Sequence, residues 1–488
     1  MYNSEYFENM MTEEEKKILV RLFTMSELEE YCLKHFTDLP AIDTPERILS
    51  YREMWTEVGS IRTFLLEKNV RKGEKIAVIY PNSIEAIEAF LAVTTYGAVA
   101  VMVQPAGPAA AKEEACRVAG CTRAFAGEKL NNIEIFDITQ AAGKEGTPAA
   151  KLEPGDPVAA FFTGGTSGTL KCALLSNKAL MTGTYNGIFA PGNSFYQKYY
   201  GLIPFSHIFG TVRNLLSCFA SGSRIRPCSD MNRLVDDLKE YKPTILILIP
   251  ALAGMLLNLA KLYGPGVFGG ELKTIVTGGA PQPTEIARIF IEQFGICFVS
   301  GYGLTETANL VSGSIDLLKK EGSVGKLYGF EEIRFVDREI QIKGDNIFIE
   351  YINNPEETKA SFDDGWFRTG DLGYMDEDGY IYITGRIKNL IYCSNGEKIC
   401  PEQIEARLDK IPGVKASLVY SEKNKFGAQL LVGELFADPA ADRKKLEQAV
   451  DMINLDLPEF SRIRQVKFRN EDFPRTSAMK IRRDYHEA

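Results

Sequence analysis

Phe161-Phe162-Thr163-Gly164-Gly165-Thr166-Ser167-Gly168-Thr169-Leu170-Lys171 lies between two apolar runs of the chain. The apolar run 158–162 before it reads as a buried strand, and a second apolar run, 172–175, follows it. Between the runs lie glycines, hydroxyl side chains and one lysine. Glycine lets successive backbone N–H groups converge on one point, because no Cβ blocks the dihedrals required. The hydroxyls add donors and Lys171 adds charge, so the stretch predicts a cradle for a polyphosphate. It is not a Walker A loop, since Leu170 precedes Lys171 and Cys172 follows it. The alternative is a hairpin turn with solvated hydroxyls.

Outward from that loop the chain alternates strand and helix. Apolar residues at helical spacing from Leu49 to Leu65 predict a helix, 76–80 a strand, Asn82 the cap of a helix running to about Tyr96, and 98–103 another strand. Strand–helix–strand order implies a parallel sheet with covered faces. Residues 107–111 read as loop into helix. Three further runs, 244–249, 274–277 and 297–299, read as buried strands. The second ends at Gly278-Gly279-Ala280-Pro281, the third at Gly301-Tyr302-Gly303-Leu304-Thr305-Glu306-Thr307. Ligands of open α/β sheets bind at such carboxyl ends. From about 322 the pattern changes to short alternating strands, with Ile340, Ile342, Ile347 and Ile349 among them. The last hundred residues mix helix (401–408, 442–454) with strand (417–420, 429–435). The expected fold is α/β: a large N-terminal domain of parallel α/β sheets plus a β-rich subdomain, followed by a small mobile α+β C-terminal domain, divided at 1–387 and 388–488.

Composition bounds the partners. The chain has 488 residues, room for two or more domains. A formal net charge of -9 argues against a nucleic-acid partner held by phosphates, although Lys480, Arg482 and Arg483 form a local basic patch. Nine cysteines without a Cys-x-x-Cys spacing, and a polar, acidic stretch at 1–11, predict reduced thiols and a cytoplasmic location. His35, His207 and His486 lie far apart, which argues against zinc. The best apolar stretches, 89–103 and 244–257, are too short or broken by Pro250, so no membrane span is expected.

Individual residues fit one chemistry. Glu306 offers a hard oxygen suited to Mg²⁺, Thr305 a hydroxyl for a phosphate, and Tyr302 a face for an adenine ring; the alternative for 301–307 is a turn and a helix start. Asp371, in Gly365-Trp366-Phe367-Arg368-Thr369-Gly370-Asp371-Leu372-Gly373, carries lone pairs for two ribose hydroxyls, or is a structural turn residue. Arg386 and Lys388 stand in Gly385-Arg386-Ile387-Lys388-Asn389-Leu390-Ile391. Lys480 ends Phe473-Pro474-Arg475-Thr476-Ser477-Ala478-Met479-Lys480; an ammonium there can bridge a carboxylate and a phosphate, or be one of the solvated charges of a basic tail.

Together these stretches resemble the acyl-adenylate-forming ligases, which include acyl-CoA synthetases, aryl-CoA ligases, beetle luciferases and peptide-synthetase adenylation domains. The resemblance covers about 50–485. The family's phosphate loop usually reads aromatic-Thr-Ser-Gly-Thr-Thr-Gly-x-Pro-Lys, and this chain departs from it at Gly164, Ser167 and Leu170; a Thr-Gly-Gly-Thr version resembles fatty-acyl ligases. Gly385 stands where the family has Asp, and Met479 where it has Gly. The match at the hinge extends through Asn395 to Glu405. Pro204-Phe205-Ser206-His207-Ile208-Phe209-Gly210 is similar to the Pro-Phe-Phe-His-x-x-Gly of CoA ligases, and 205–214 lacks the acid that amino-acid-activating relatives carry.

The resemblance implies a catalytic set of Lys480, His207 and Thr305, and a metal ligand at Glu306. It implies nucleotide contacts at Thr163, Gly164, Gly165, Thr166, Ser167, Gly168, Lys171, Gly278, Gly279, Ala280, Tyr302, Gly303, Asp371, Ile383 and Arg386, with Lys388 as hinge. It implies ATP, Mg²⁺ and coenzyme A as cofactors and an apolar, fatty acid as substrate. Phe209, Val212, Leu252 and Met255 are either the lining of a pocket for that acid or core packing. The alternatives are an aryl-CoA ligase, an enzyme that passes acyl groups to a carrier-protein thiol, and a non-catalytic nucleotide-binding relative.

Overall fold

The apolar runs become the strands the chemistry requires. A computed structural model describes residues 12–163, 170–190, 192–281, 284–393, 397–423, 429–475 and 481–483. Five strands, Pro157–Thr163, Val99–Met102, Lys75–Ile79, Arg123–Ala126 and Glu134–Phe136, lie side by side in that order and run parallel. The central residues of the first four are fully buried, as near-continuous Val, Ile and Ala runs demand when helices cover both faces, while Ile135 of the edge strand is partly buried. Lys171–Ser176 pairs antiparallel with Pro157–Thr163, so the Gly-rich stretch joins two neighbouring strands, with Thr163 opposite Lys171.

A second sheet has fourteen strands among the described residues. Its parallel part runs Cys297–Tyr302, Thr274–Thr277, Ile245–Leu248, Lys198–Gly201, Arg224–Pro227, Pro40–Asp43. Ser312–Ser314 turns back antiparallel on Cys297–Tyr302. From it the sheet continues through Ser323–Leu327, Tyr380–Arg386, Trp366–Met375, Glu339–Gly344 and Glu331–Val336. The β-rich unit expected after 322 is therefore hydrogen-bonded in line with the parallel sheet.

Two sequence expectations fail locally. Asn82 does not cap the helix Ile84–Tyr96; Ser83 does, its Oγ accepting from the Ala86 N–H at 3.2 Å. Both residue types cap well, and the choice is settled by what Asn82 does elsewhere. Ile347 and Ile349 do not continue the alternating strands. The segment 346–351 leaves the second sheet, and Glu350–Tyr351 pairs with Lys171–Ser176 of the first.

The C-terminal part packs around its own core, with Ile404, Leu408, Val419, Leu431, Leu435 and Val450 at its centre. Helices Pro401–Leu408 and Arg443–Leu455 cover a sheet of Val414–Lys423, Gln429–Ala437 and Gln465–Arg469. This is the separate small α+β domain that the sequence predicts. All nine cysteines are free thiols. No helix of the described residues is long and apolar enough to cross a membrane.

Candidate active site

Parallel neighbours bring their carboxyl ends to one edge, so the turns after Lys198–Gly201, Thr274–Thr277 and Cys297–Tyr302 share one rim. The first carries His207, the second Gly278, Gly279 and Ala280, the third Gly303, Thr305 and Glu306. Gly278 is buried against Phe209, whose ring carbon lies 3.4 Å from where a Cβ would stand. Gly279, at φ +82°, and Ala280 face solvent.

The third turn is the tightest. A Cβ on Gly303 would lie 1.3 Å from the Asn309 carbonyl oxygen, so the chain's own return, rather than a ligand, excludes a side chain there. Ala308 and Asn309 complete the turn in left-handed conformations, φ 46° and 83°. The helix Asn177–Phe189 touches it at Gly183, where a Cβ would stand 2.2 Å from the Ala308 carbonyl oxygen. Gly303→Ala is therefore expected to destabilise the fold by about 3 kcal/mol or more, since backbone cannot rotate aside as a side chain can. A thermal melt unchanged from wild type would contradict this geometry.

Buried amides hold the turn from behind. Asn346 Nδ2 donates to the carbonyls of Thr307 (3.1 Å) and Leu310 (3.3 Å). Asn186 Nδ2 donates to Leu310 (3.2 Å) and to Glu331 Oε1 (2.6 Å). Burial pushes the Glu331 carboxyl up to about 8, against the opposing pull of Asn186 and Arg21; Asp345 is the other acid that faces it. The folded chain thus keeps a proton that the unfolded chain releases near 4.5. Its contribution is full at acid pH and is lost as pH rises through about 8. Glu331→Gln removes this titration, so its melting temperature should gain on wild type from about pH 6 to about pH 9. A difference constant over that range would refute it.

Glu306 is aimed by the crossing segment. Its carbonyl accepts from the Phe348 N–H at 2.8 Å, and its Oε1 accepts from the Tyr351 hydroxyl at 2.6 Å. Burial first, then the Glu306 carboxylate, push the Tyr351 phenol well above its ordinary value, so it stays a donor. Lys171 lies over the Tyr351 ring, 5.3 Å from its centre, and donates to Glu357 Oε2 at 2.5 Å. The lysine expected to serve phosphate is thus already ion-paired, with 20% of its side chain exposed. Sequence reading missed Tyr351 and Glu357, because the run 347–351 reads as one more alternating strand.

Among the described residues no group of three His, Cys, Asp or Glu side chains forms a metal cage. Glu306 offers a single carboxylate with an oxygen beyond the one Tyr351 holds. That donor set fits Mg²⁺, which keeps several waters and takes one or two carboxylates plus substrate phosphates.

Asp371 is 2% exposed and occupied on both oxygens. The Tyr302 hydroxyl donates to Oδ2 at 2.7 Å, and Arg386 Nε pairs with Oδ1 at 2.7 Å. One lone pair on each oxygen remains for another donor. Tyr302 is 8% exposed and packs in a cluster with Val311, Ile340, Ile342 and Ile381, against which Ile383 leans. The geometry therefore brings Tyr302, Asp371, Ile383 and Arg386 together, with the tyrosine ring largely covered. Burial first, then Asp371, push the Tyr302 phenol well up.

His207 is exposed. Its Nδ1 accepts from the Phe209 N–H at 3.2 Å, which leaves the proton of the neutral ring on Nε2. Lys388 is exposed on the short turn Ile387–Asn389. Next to it, a Cβ on Gly385 would stand 2.9 Å from Glu402 Oε2 of the small domain. An aspartate at 385 would set two carboxylates against each other, which accounts for glycine there. Gly164, Gly165, Thr166, Ser167, Gly168 and Lys480 lie outside the described residues. The stretch that carries Lys480 is bracketed by an antiparallel bridge between Arg475 and Ile481, beside buried Phe473.

A family model described as AMP-binding enzyme matches residues 28–347, and one described as AMP-binding enzyme C-terminal domain matches 388–488. A 4-coumarate–CoA ligase-like protein of Arabidopsis thaliana is 26% identical over 482 residues, covering 89% of this chain and 87% of the relative. The long-chain-fatty-acid–CoA ligase FadD13 of Mycobacterium tuberculosis is 24% identical over 470 residues, covering 89% and 91%. ATP-bound MatB from Rhodopseudomonas palustris superposes with a TM-score of 0.84 at 23% identity, covering 94% of this chain and 97% of that one.

Proposed function

This chain belongs to the AMP-binding enzymes, and from that premise we propose that it is an AMP-forming carboxylate–CoA ligase. The observation that carries the proposal is the Glu306 carboxylate, held by the Tyr351 hydroxyl at the rim where the parallel strands end. A substrate carboxylate oxygen attacks the α-phosphorus of ATP, the bond to pyrophosphate breaks, and acyl-AMP forms. The thiol of coenzyme A then attacks the acyl carbon, and AMP leaves. Both reactants of the first step are anions, so positioning and positive charge do most of the work.

In this reading Asp371, Arg386, Tyr302 and Ile383 hold the nucleoside. Thr305, Lys171 and the loop from Thr163 to Gly168 face the phosphates, and Lys480 joins acid to phosphate. Mg²⁺ at Glu306 supplies charge neutralisation of the triphosphate. His207 borders the acid and the path of the thiol. The domains divide at 387/388, with Lys388 as the hinge about which the small domain turns between the two steps.

We further propose an apolar, fatty acid as substrate. Thr163-Gly164-Gly165-Thr166 and the Phe209 ring against Gly278 support it, and Leu252 and Met255 are partly buried, whereas Val212 is wholly in the core. The FadD13 likeness favours this class and the coumarate-ligase likeness favours an aryl acid. Pyrophosphate release is expected with fatty acids and CoA, at rates above those with benzoate or coumarate. The reverse order would replace the fatty acid with an aryl one, and release that needs a carrier protein in place of CoA would change the acceptor. The nine free thiols support a cytoplasmic location.

A further inference from the structure

Asn82 stands at the end of the strand Lys75–Ile79 of the first sheet, yet its side chain works on the second. It is 7% exposed. Its Nδ2 donates to the carbonyls of Gly201 (2.8 Å) and Ile203 (3.0 Å), and its Oδ1 accepts from the Phe205 N–H at 2.8 Å. One amide thus serves three backbone groups over five residues, and it does so in only one orientation, since two partners are acceptors and one is a donor. Gly201 ends the strand Lys198–Gly201, and Phe205 is two residues from His207.

The rest of the loop is fixed relative to that amide. The His207 N–H donates to the Pro204 carbonyl at 3.0 Å, and the Thr211 hydroxyl donates to the Phe205 carbonyl at 2.6 Å. A Cβ on Gly210 would stand 2.2 Å from the Pro204 carbonyl oxygen, so the loop closes tightly on itself. Phe209 then seats on Gly278. The loop is hydrogen-bonded within itself, and Asn82 ties it to the first sheet, whose strands Pro157–Thr163 and Lys171–Ser176 pair side by side.

We propose that Asn82 is a positioning residue that sets the His207 loop against the first sheet, and so fixes where the substrate acid stands relative to the phosphates. This rests on the reading of His207 as a neighbour of the acid. Asn82→Asp keeps the shape and the bond from Phe205 but turns a carboxylate oxygen on two carbonyls. It should lower kcat/KM for the acid about 30-fold, as loss of orientation does, while KM for ATP stays within about twofold. If Asn82 acts through His207, the same change made in His207→Ala should cost less than about threefold more.

Deuterium exchange supplies a readout that does not depend on the reaction. In Asn82→Asp the segment 201–211 should exchange faster while the remaining strands keep their protection. Should that variant not fold, Asn82→Ala, which brings no charge, carries the same comparisons. Multiplying effects with His207→Ala, or a loss of rate that follows the folded fraction with KM for the acid unchanged, would overturn the proposal. Uniform change of exchange across the chain would overturn it too. Absence of acid-dependent pyrophosphate release from wild type would instead remove the ligase reading, and exchange in 201–211 would still decide the clamp.

Discussion

Lys480→Ala should lower formation of acyl-AMP from acid and ATP by about 1000-fold, because the lost charge acts where two anions must meet. Thioester formation from supplied acyl-AMP should stay within about threefold of wild type, since no phosphate is transferred in that step. The physical reason is the ammonium itself: a compact cation with rotatable donors reaches a carboxylate and a phosphate at once. The bridge between Arg475 and Ile481 and the burial of Phe473 among Ala416 and Leu418 anchor both ends of the lysine's stretch to the small domain. Single-turnover assays of the two half-reactions measure the split. Equal loss in both would take Lys480 out of the adenylation step.

Glu306→Gln should slow adenylation by about 100-fold, comparable to removal of one preorganised charge from a reacting centre. Glutamine keeps an oxygen for the Tyr351 hydroxyl, now 2.6 Å from Glu306 Oε1, so the turn is expected to stay folded. What is lost is the charge that a divalent cation needs. Binding of Mn²⁺ in the presence of ATP, followed by electron paramagnetic resonance, should weaken about tenfold or more. Tyr351→Phe removes only the hydroxyl and keeps the ring beneath Lys171, so it should give the same kind of change at about a third of the size. Unchanged Mn²⁺ binding in Glu306→Gln would place the metal elsewhere.

The strands were legible because burial on both faces leaves little choice of residue. Ile245–Leu248, Thr274–Thr277 and Cys297–Tyr302 follow runs of β-branched and apolar side chains, ended by Pro250 in the first and by glycines in the other two. Short-range signals also located the site's rim, since each Gly-rich turn follows a strand. Partnerships across the sheets were not legible. Nothing local tells that Asn82 reaches Gly201 and Phe205, more than a hundred residues on, or that Ser83 takes over the cap. Lys171 reads as a free cation until the helix Pro355–Ala360 brings Glu357 to it. Tyr302 and Arg386 read as separate ligand contacts, yet both meet on Asp371. Gly303 reads as room for a ligand, yet its own chain at Asn309 fills the space beside its Cα.

Glycine at 385 illustrates the same point from the other side. It reads as a departure from a family pattern, and only the neighbouring helix Pro401–Leu408 explains it, through Glu402 at the place a side chain would occupy. A local sequence carries its own propensities; the charge it must avoid comes from the fold.

The central claim is that this chain joins an organic acid to AMP before it makes a thioester. Mass spectrometry of the enzyme after incubation with ATP, Mg²⁺ and a fatty acid, without coenzyme A, tests it most directly. Bound acyl-AMP is expected in near-stoichiometric amount, converted to acyl-CoA and free AMP when coenzyme A is added. ATP recovered intact with every acid tried, or cleavage to ADP and phosphate in place of AMP and pyrophosphate, would contradict it.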